Sequence, residues 1–301
     1  MPKLLAVGAA VLDCIYLLDE LPAAAEKHRA KGLTLQGGGM AATAAVTARR
    51  LGVDAALAAR VGDGQFGAAI VDELVAEGVD CALVRRCRGR RSSVSAVMIG
   101  AEGERMIVNY KDPDMDAGTG WLPERLPAGI DGVLGDHHWQ AGTEHVFRLA
   151  HEAHKPAILD ADRLVTSETI LRNATHIGFS ARGLREQTGM DSLPEALASL
   201  QAKLPGWLAV TDGKDGCWFT GRGEICHAPA PNVVAVDTNG AGDVWHGALA
   251  AAILEGQAPG EAVAFANAAA SLKCSRPGGR AAIPTRDEVE RFLRGINSYA
   301  C

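Results

Sequence analysis

No stretch of this 301-residue chain approaches the roughly 18 uninterrupted apolar residues of a membrane-spanning helix. The opening run, Met1-Pro2-Lys3-Leu4-Leu5-Ala6-Val7-Gly8, is too short in apolar residues for a signal peptide. Regular cysteine spacing is missing too. The seven cysteines (14, 81, 87, 217, 226, 274 and 301) are odd in number and show no C-x-x-C spacing. That argues against a zinc site and a disulfide framework and fits a reducing cytoplasm. There is no dense basic stripe: net charge is −6, and Arg85, Arg86, Arg88, Arg90 and Arg91 read as a solvated loop rather than a nucleic-acid surface. Internal repeats and low-complexity linkers are absent. What is there is 48% hydrophobic and 22% charged, enough to bury a sizeable core and to exclude global disorder. The expectation is a soluble cytoplasmic protein with neither a nucleic-acid nor a membrane partner.

Periodicity predicts a strand at 4–8, with 11–18 as its continuation or neighbour, and an alanine-rich helix at 43–51 opened by Gly37-Gly38-Gly39. A strand at 55–61, a helix at 66–77 closed by Gly78 and a strand at 79–84 follow. Residues 92–99 and 105–110 alternate apolar and polar around Glu102-Gly103-Glu104, a hairpin signal. From about residue 130, strands at 132–134, 157–160, 176–179 and 208–211 alternate with helices near 143–154, 193–203, 243–255, 260–273 and 286–294. Alternating β and α elements predict an α/β fold, a doubly wound, mainly parallel sheet covered on both faces. The 13–36 and 92–110 segments break that rhythm and are expected to form a small antiparallel sheet inserted as a lid on a single domain over 1–301.

The chemistry concentrates in Asp237-Thr238-Asn239-Gly240-Ala241-Gly242-Asp243, which runs into the apolar Val244-Trp245-His246-Gly247-Ala248-Leu249. Gly240 and Gly242 allow close backbone approach to a ligand. The unpaired N–H groups opening the helix, with the positive end of its dipole, make an anion site. Asp243 sits among those donors, where a carboxylate can take a proton from an attacking hydroxyl. These parts suit phosphoryl transfer, although a bare G-x-G-D also describes a glycine turn with an ordinary capping Asp. Gly62-Asp63-Gly64-Gln65-Phe66-Gly67 fits G-x-G-x-x-G with Asp80 downstream, but Asp63 would put negative charge inside a pyrophosphate loop. A dinucleotide site is therefore rejected there. Adjacent residues on a strand point to opposite faces, so His137 and His138 read as a poor chelate.

The 237–249 run matches the C-terminal signature of the ribokinase-like (PfkB) sugar kinases, and the resemblance spans nearly the whole chain. It implies that Asp13, after Ala6-Val7-Gly8, binds sugar hydroxyls, and that Gly38 and Gly39 line the sugar pocket. Thr43 stands where the family usually has Asn. Asp13 by itself also reads as a turn residue between strands. Val210-Thr211-Asp212-Gly213-Lys214-Asp215-Gly216 resembles the turn at the nucleotide, placing Thr211, Gly213 and Gly216 there. Asn267 resembles the asparagine near the adenine, and Gly278-Gly279-Arg280-Ala281-Ala282-Ile283-Pro284 the closing loop. The family's N-x-x-E motif is replaced by Ser180-Ala181-Arg182-Gly183, so no magnesium ligand is carried over. Asp237 resembles the monovalent-cation site of potassium-activated members.

Within the family, Gly37-Gly38-Gly39-Met40-Ala41-Ala42-Thr43-Ala44-Ala45 and Leu272-Lys273-Cys274-Ser275-Arg276-Pro277-Gly278-Gly279-Arg280 resemble the sulfofructose kinases. Lys27 and Asn109 fall on two of that branch's sulfonate-binding positions, and His138 stands where its arginine would be. Read singly, Lys27 is a solvated lysine and Asn109 ends a hairpin. The resemblance implies an ATP- and Mg2+-dependent kinase, with K+ activation of the kind some members show, Asp243 as base, residues 240–242 as the anion hole and two lids paired in a homodimer. A ketose with an anionic C6 group is the expected substrate. A neutral-sugar kinase of ribokinase or fructokinase type, and a non-catalytic sugar sensor, are the alternatives.

Overall fold

The computed structural model describes residues 1–101, 104–116 and 118–295. The first part holds β1 (Lys3–Gly8), β2 (Val11–Leu17), β3 (Gly32–Gly38), α1 (Met40–Arg50), β4 (Asp54–Gly62), α2 (Gln65–Ala76) and β5 (Asp80–Cys87). Next come β6 (Ser93–Ile99), β7 (Arg105–Tyr110), β8 (Gly132–Asp136), α3 (Gln140–Glu152), β9 (Ala157–Ala161), α4 (Glu168–Asn173) and β10 (His176–Ser180). The chain continues through α5 (Ala181–Thr188), α6 (Leu193–Gln201), β11 (Trp207–Thr211), β12 (Cys217–Thr220) and β13 (Ile225–Ala228). It closes with α7 (Ala241–Leu254), α8 (Pro259–Cys274) and α9 (Arg286–Gly295).

The large sheet has nine strands in the order β13-β12-β11-β10-β9-β8-β1-β4-β5. It is parallel from β5 to β11, and β12 and β13 add an antiparallel edge. Strand alternation decides the layers. Leu4 and Ala6 of β1 pack with α1, α7 and α8, whereas Leu5 and Val7 pack with α3, α4 and α6 on the other face. Both faces are covered, which is why β8 and β9 are buried along their whole length. No described helix is long and apolar enough to cross a membrane.

The predicted lid is a second, four-stranded sheet in the order β3-β2-β6-β7. It is mixed rather than antiparallel, because β2 and β6 pair in parallel. The β4–α2–β5 excursion lies between them and returns the chain in the same direction, so no hairpin could join the two. The 11–18 segment is thus neither a continuation of β1 nor its neighbour in the large sheet. The expected turn at Glu102-Gly103-Glu104 has its residues 102 and 103 outside the described ones.

The placement of the functional loops follows from two features. β1 lies between β4 and β8, so the chain winds outward on both sides of it and opens a crevice at the carboxyl ends of β1 and β8. Helices α1 and α7 also touch almost backbone to backbone, since a Cβ on Gly247 would stand 2.6 Å from the Ala44 carbonyl oxygen. Small residues at this contact bring the N-termini of α1 and α7 to the same end of the crevice.

Candidate active site

Two cavities meet at the N-terminus of α7. The inner one, about 150 Å³, is lined by Asp13, Gly38, Gly39, Thr43, Gly240, Asp243, Lys273 and Arg280. The outer one, about 270 Å³, is lined by Thr211, Gly213, Gly216, Ala241, Gly242, Trp245 and Asn267. A single helix turn thus presents Gly240 and Asp243 to one cavity and Ala241 and Gly242 to the other. Gly240 caps the helix with φ +72°, a conformation that glycine adopts without strain. No heavy atom lies within 4 Å of a Cβ placed on Gly242, so the first turn opens on space that a phosphate can fill.

The floor of the inner cavity is built by the lid and α1. In register across the lid stand Gln36, Asp13, Ser95 and Asn109, all facing one way. Asp13 is hydrogen-bonded to Ser95; burial pushes its carboxyl above the usual range, partly offset by Ser95 and Arg280. A side chain on Gly38 would collide with Asp13, its Cβ 2.5 Å from Oδ2. Arg280 is 4% exposed and holds this floor together. Its Nε donates to Thr43 Oγ1 at 3.1 Å and its Nη2 to the Gly38 carbonyl at 2.7 Å, and Nη1 faces Glu73 at 3.5 Å. Thr43 therefore anchors a guanidinium in place of the family's amide. Sequence reasoning placed Arg280 only in the closing loop; its role comes from contacts with partners far away in the chain.

Asp136, at the end of β8 and fully buried, was also missed. Its Oδ2 accepts from the Ala9 and Ala41 amides at 2.8 and 3.2 Å, and its Oδ1 from the His138 amide at 2.9 Å. One carboxylate thus ties together the β1–β2 turn, the start of α1 and the loop after β8.

Asp243 is half-buried, and desolvation, reinforced by the Asp160 carboxylate, pushes its acid up to about 8. His246 and Arg280 work in the opposite direction. A carboxyl poised near neutrality is suited to accept a proton in the transition state. Asp237 is held differently. Burial would raise it, but the Asn239 and Gly279 amides and Lys273 outweigh that and keep it below the usual carboxylate range. The Lys273 ammonium, 1% exposed, lies 3.3 Å from Asp237 Oδ2, and Arg105 of the lid lies 3.5 Å from Oδ1. Positive charge that a monovalent cation would bring is already present there.

Thr211, Gly213, Gly216 and Asn267, the residues expected at a nucleotide, all line the outer cavity. The Asn267 amide is engaged inward: Oδ1 accepts from the Trp245 indole at 2.8 Å and Nδ2 donates to the Ala228 carbonyl at 3.0 Å. It shapes the wall by fixing Trp245. Magnesium that travels with a nucleotide keeps most of its shell as water and phosphate oxygens, and no residue is assigned to it. Ser180 has become the cap of α5, its Oγ accepting from the Gly183 amide at 2.9 Å.

Lys27, Asn109 and His138 are not among the residues lining the inner cavity. Lys27 is exposed. Asn109 shares Asp13's row, two strands away, and donates to Ser95 Oγ at 3.1 Å. His138 is exposed, with the Lys111 ammonium 3.0 Å from its Nδ1. The expectation that His137 and His138 point apart fails, because β8 ends at Asp136 and the two rings sit 4.4 Å apart in the following bend. Asp162 joins them within 4.8 Å, but Lys111 takes a lone pair that a metal would need. The Gly62–Gly67 turn serves as scaffold. Its Gly62 amide donates to Ser92 Oγ at 2.9 Å, and Asp63 accepts from the Gly89 amide at 2.9 Å.

Known proteins resemble this chain over most of its length. The model of the pfkB family carbohydrate kinases matches residues 1–286. A ribokinase of Bacillus subtilis is 30% identical over 298 residues, covering 97% of this chain and 100% of its own length. A fructokinase of Klebsiella pneumoniae is 30% identical over 282 residues, covering 85% of this chain and 91% of its own. The structure of Arabidopsis thaliana ribokinase complexed with ribose and ATP superimposes with a TM-score of 0.83 at 25% identity, covering 97% of this chain and 99% of that one. The narrower resemblance to sulfofructose kinases rests on the residues of this chain alone.

Proposed function

We propose ATP-dependent phosphorylation of a primary hydroxyl of a neutral sugar for this chain, which belongs to the pfkB family of carbohydrate kinases, phosphotransferases with an alcohol group as acceptor. The observation that carries the reading is the first turn of α7, which forms a wall of both cavities. Asp13 and the Gly38–Gly39 backbone orient the sugar from below. Residues 240–242 cradle the transferring phosphoryl with backbone N–H groups, where developing charge is stabilised without reorganisation. Asp243 takes the proton of the hydroxyl as it attacks in line. Bound Mg2+ offsets charge on the phosphates of the nucleotide. The lid strands β2, β3, β6 and β7 exclude water, which limits ATP hydrolysis.

A neutral substrate is favoured because the buried cations of the inner cavity already face carboxylates, Arg280 facing Glu73 and Lys273 facing Asp237. Relatives named as ribokinase and fructokinase point the same way. The second reading, a ketose with a C6 anion (sulfonate before phosphate), draws support from Asn109 in Asp13's row and from Lys111 beside His138. ADP release measured over ribose, fructose and their C6-anionic counterparts separates them. A kcat/KM at least about tenfold higher for a neutral sugar, with Lys27→Ala without effect on it, is expected. A preference for the anionic ketose that Lys27→Ala abolishes would replace this reading with the second. No ADP release with any sugar would leave a sensor.

The outer face of the lid supports a homodimer. Leu33, Leu35, Met106, Val108 and Tyr110 are exposed there, between 39% and 59%, and the β3 and β7 edges are open. Pairing two lids covers both the apolar face and the edges. Light scattering is expected to show a dimer that Val108→Lys converts to monomer. A monomeric unmodified chain at micromolar concentration would end the proposal.

A further inference from the structure

One turn beyond Asp243 on α7, His246 is 3% exposed and its ring points into the carboxyl ends of β9 and β10. Its Nδ1 lies 2.9 Å from the Gly242 carbonyl oxygen, and its Nε2 lies 3.0 Å from the Gly178 carbonyl oxygen. Carbonyl oxygens only accept hydrogen bonds, and a neutral imidazole carries a single N–H. Making both contacts therefore requires a proton on each nitrogen. Asp160, the penultimate residue of β9 and 2% exposed, places its Oδ2 3.2 Å from Nδ1, and that oxygen has no hydrogen-bond partner. The other charges facing this spot are Asp243 on α7, Asp162 after β9, Asp136 at the end of β8 and Arg280 from the closing loop. Four acidic side chains thus face one guanidinium around the ring.

We propose that His246 is held as an imidazolium paired with the Asp160 carboxylate, and that it acts as a positioning residue for the reaction. By donating to the Gly242 carbonyl it fixes the first turn of α7, whose amides face the phosphoryl, and it places a positive charge beneath Asp243. Burial disfavours each charge alone, lifting the proton affinity of Asp160 and lowering that of His246; the pair cancels that cost only while both members are present. The positioning role rests on the proposed reading of the α7 turn and of Asp243 as the base; the charge state of His246 does not.

Nitrogen NMR of histidine-labelled protein tests the charge directly, with the His246 signals assigned from their loss in His246→Asn. Both ring nitrogens are expected to be protonated from pH 6 to above pH 8, and Asp160→Asn is expected to shift His246 to a neutral tautomer. A neutral tautomer in the unmodified protein at pH 7 overturns the proposal. For the positioning role, His246→Asn keeps a hydrogen-bonding amide but removes the charge. The acid limb of its kcat/KM profile is expected to move up by about one pH unit, so activity falls roughly tenfold at pH 7 and recovers near pH 9, with sugar KM unchanged. A uniform loss at every pH would show a merely structural residue and would overturn the role. If Asp243 is not the base, the acid limb is missing in the unmodified enzyme while the NMR result stands, so the two failures are distinguishable.

Discussion

Asp243→Asn is expected to lower kcat at least about a hundredfold, the lower range for loss of a general base, while binding of the sugar, measured by calorimetry, survives. The carboxyl is pushed up to about 8, so kcat/KM of the unmodified enzyme rises with pH and levels off above that value, and the variant lacks this limb. Stability moves in the opposite direction. A carboxyl whose folded value lies above its unfolded value binds more protons in the folded state between the ordinary carboxylate range and about 8. The contribution is therefore full below that range and is lost as pH rises through about 8. Asp243→Asn removes the desolvated charge, so its Tm is expected to exceed that of the parent at pH 9 by a few degrees, with the gap closing at pH 5. Near-normal turnover would sink the mechanism; a Tm gap independent of pH would sink the electrostatic account.

Arg280→Met is expected to cost about 3–5 kcal/mol in urea unfolding, the magnitude for leaving buried charge uncompensated. The guanidinium joins three chain segments: Thr43 on α1, the Gly38 carbonyl at the end of β3, and Glu73 on α2. Its loss leaves Glu73, Asp13 and Asp243 without that partner. Methionine keeps much of the volume, so a cavity is not the cause. Arg280→Lys retains the charge but lacks the planar fork that reaches Thr43 and Gly38 together, and it is expected to recover stability in part while raising the sugar KM. A loss under about 1 kcal/mol in Arg280→Met would show that the guanidinium does not balance these carboxylates.

Much of the fold is written locally in the chain. Short apolar runs located β1, β4 and β8 to β11, and the 3.6 periodicity located α1, α2, α3, α6, α7, α8 and α9, because strands covered on both faces are apolar throughout while each covering helix buries a stripe. The small β12–β13 edge was overlooked. Its strands, Cys217–Thr220 and Ile225–Ala228, are four residues each, too short for alternation to rise above noise. Short α4 and α5 were overlooked for the same reason, although Ser167 and Ser180 cap them with their side chains.

The candidate site divides in the same way. Gly240, Gly242 and Asp243 were legible because a glycine turn and the helix it opens lie together in sequence. Asp13, Gly38 and Gly39 were legible through the family pattern. Arg280, Asp136 and His246 were not, since each acquires meaning from partners far along the chain: Arg280 reaches back 242 residues to Gly38, and Asp136 reaches back 95 to Ala41. His246 looks like one more position on an apolar helix until Gly178, 68 residues earlier, is brought against its ring. Long-range pairing of that kind leaves no periodic trace.

The near-contact of α1 and α7 at Ala44 and Gly247 has a consequence for which carbon of the sugar reacts. Because Gly247 brings no side chain to that contact, the span from the Gly38–Gly39 backbone to Asp243 behaves as a fixed gauge. A sugar anchored on Asp13 can offer Asp243 only the hydroxyl that lies at that reach. Substrates of other lengths must be accommodated by the lid strands, and regioselectivity would outlast changes in which sugar is accepted.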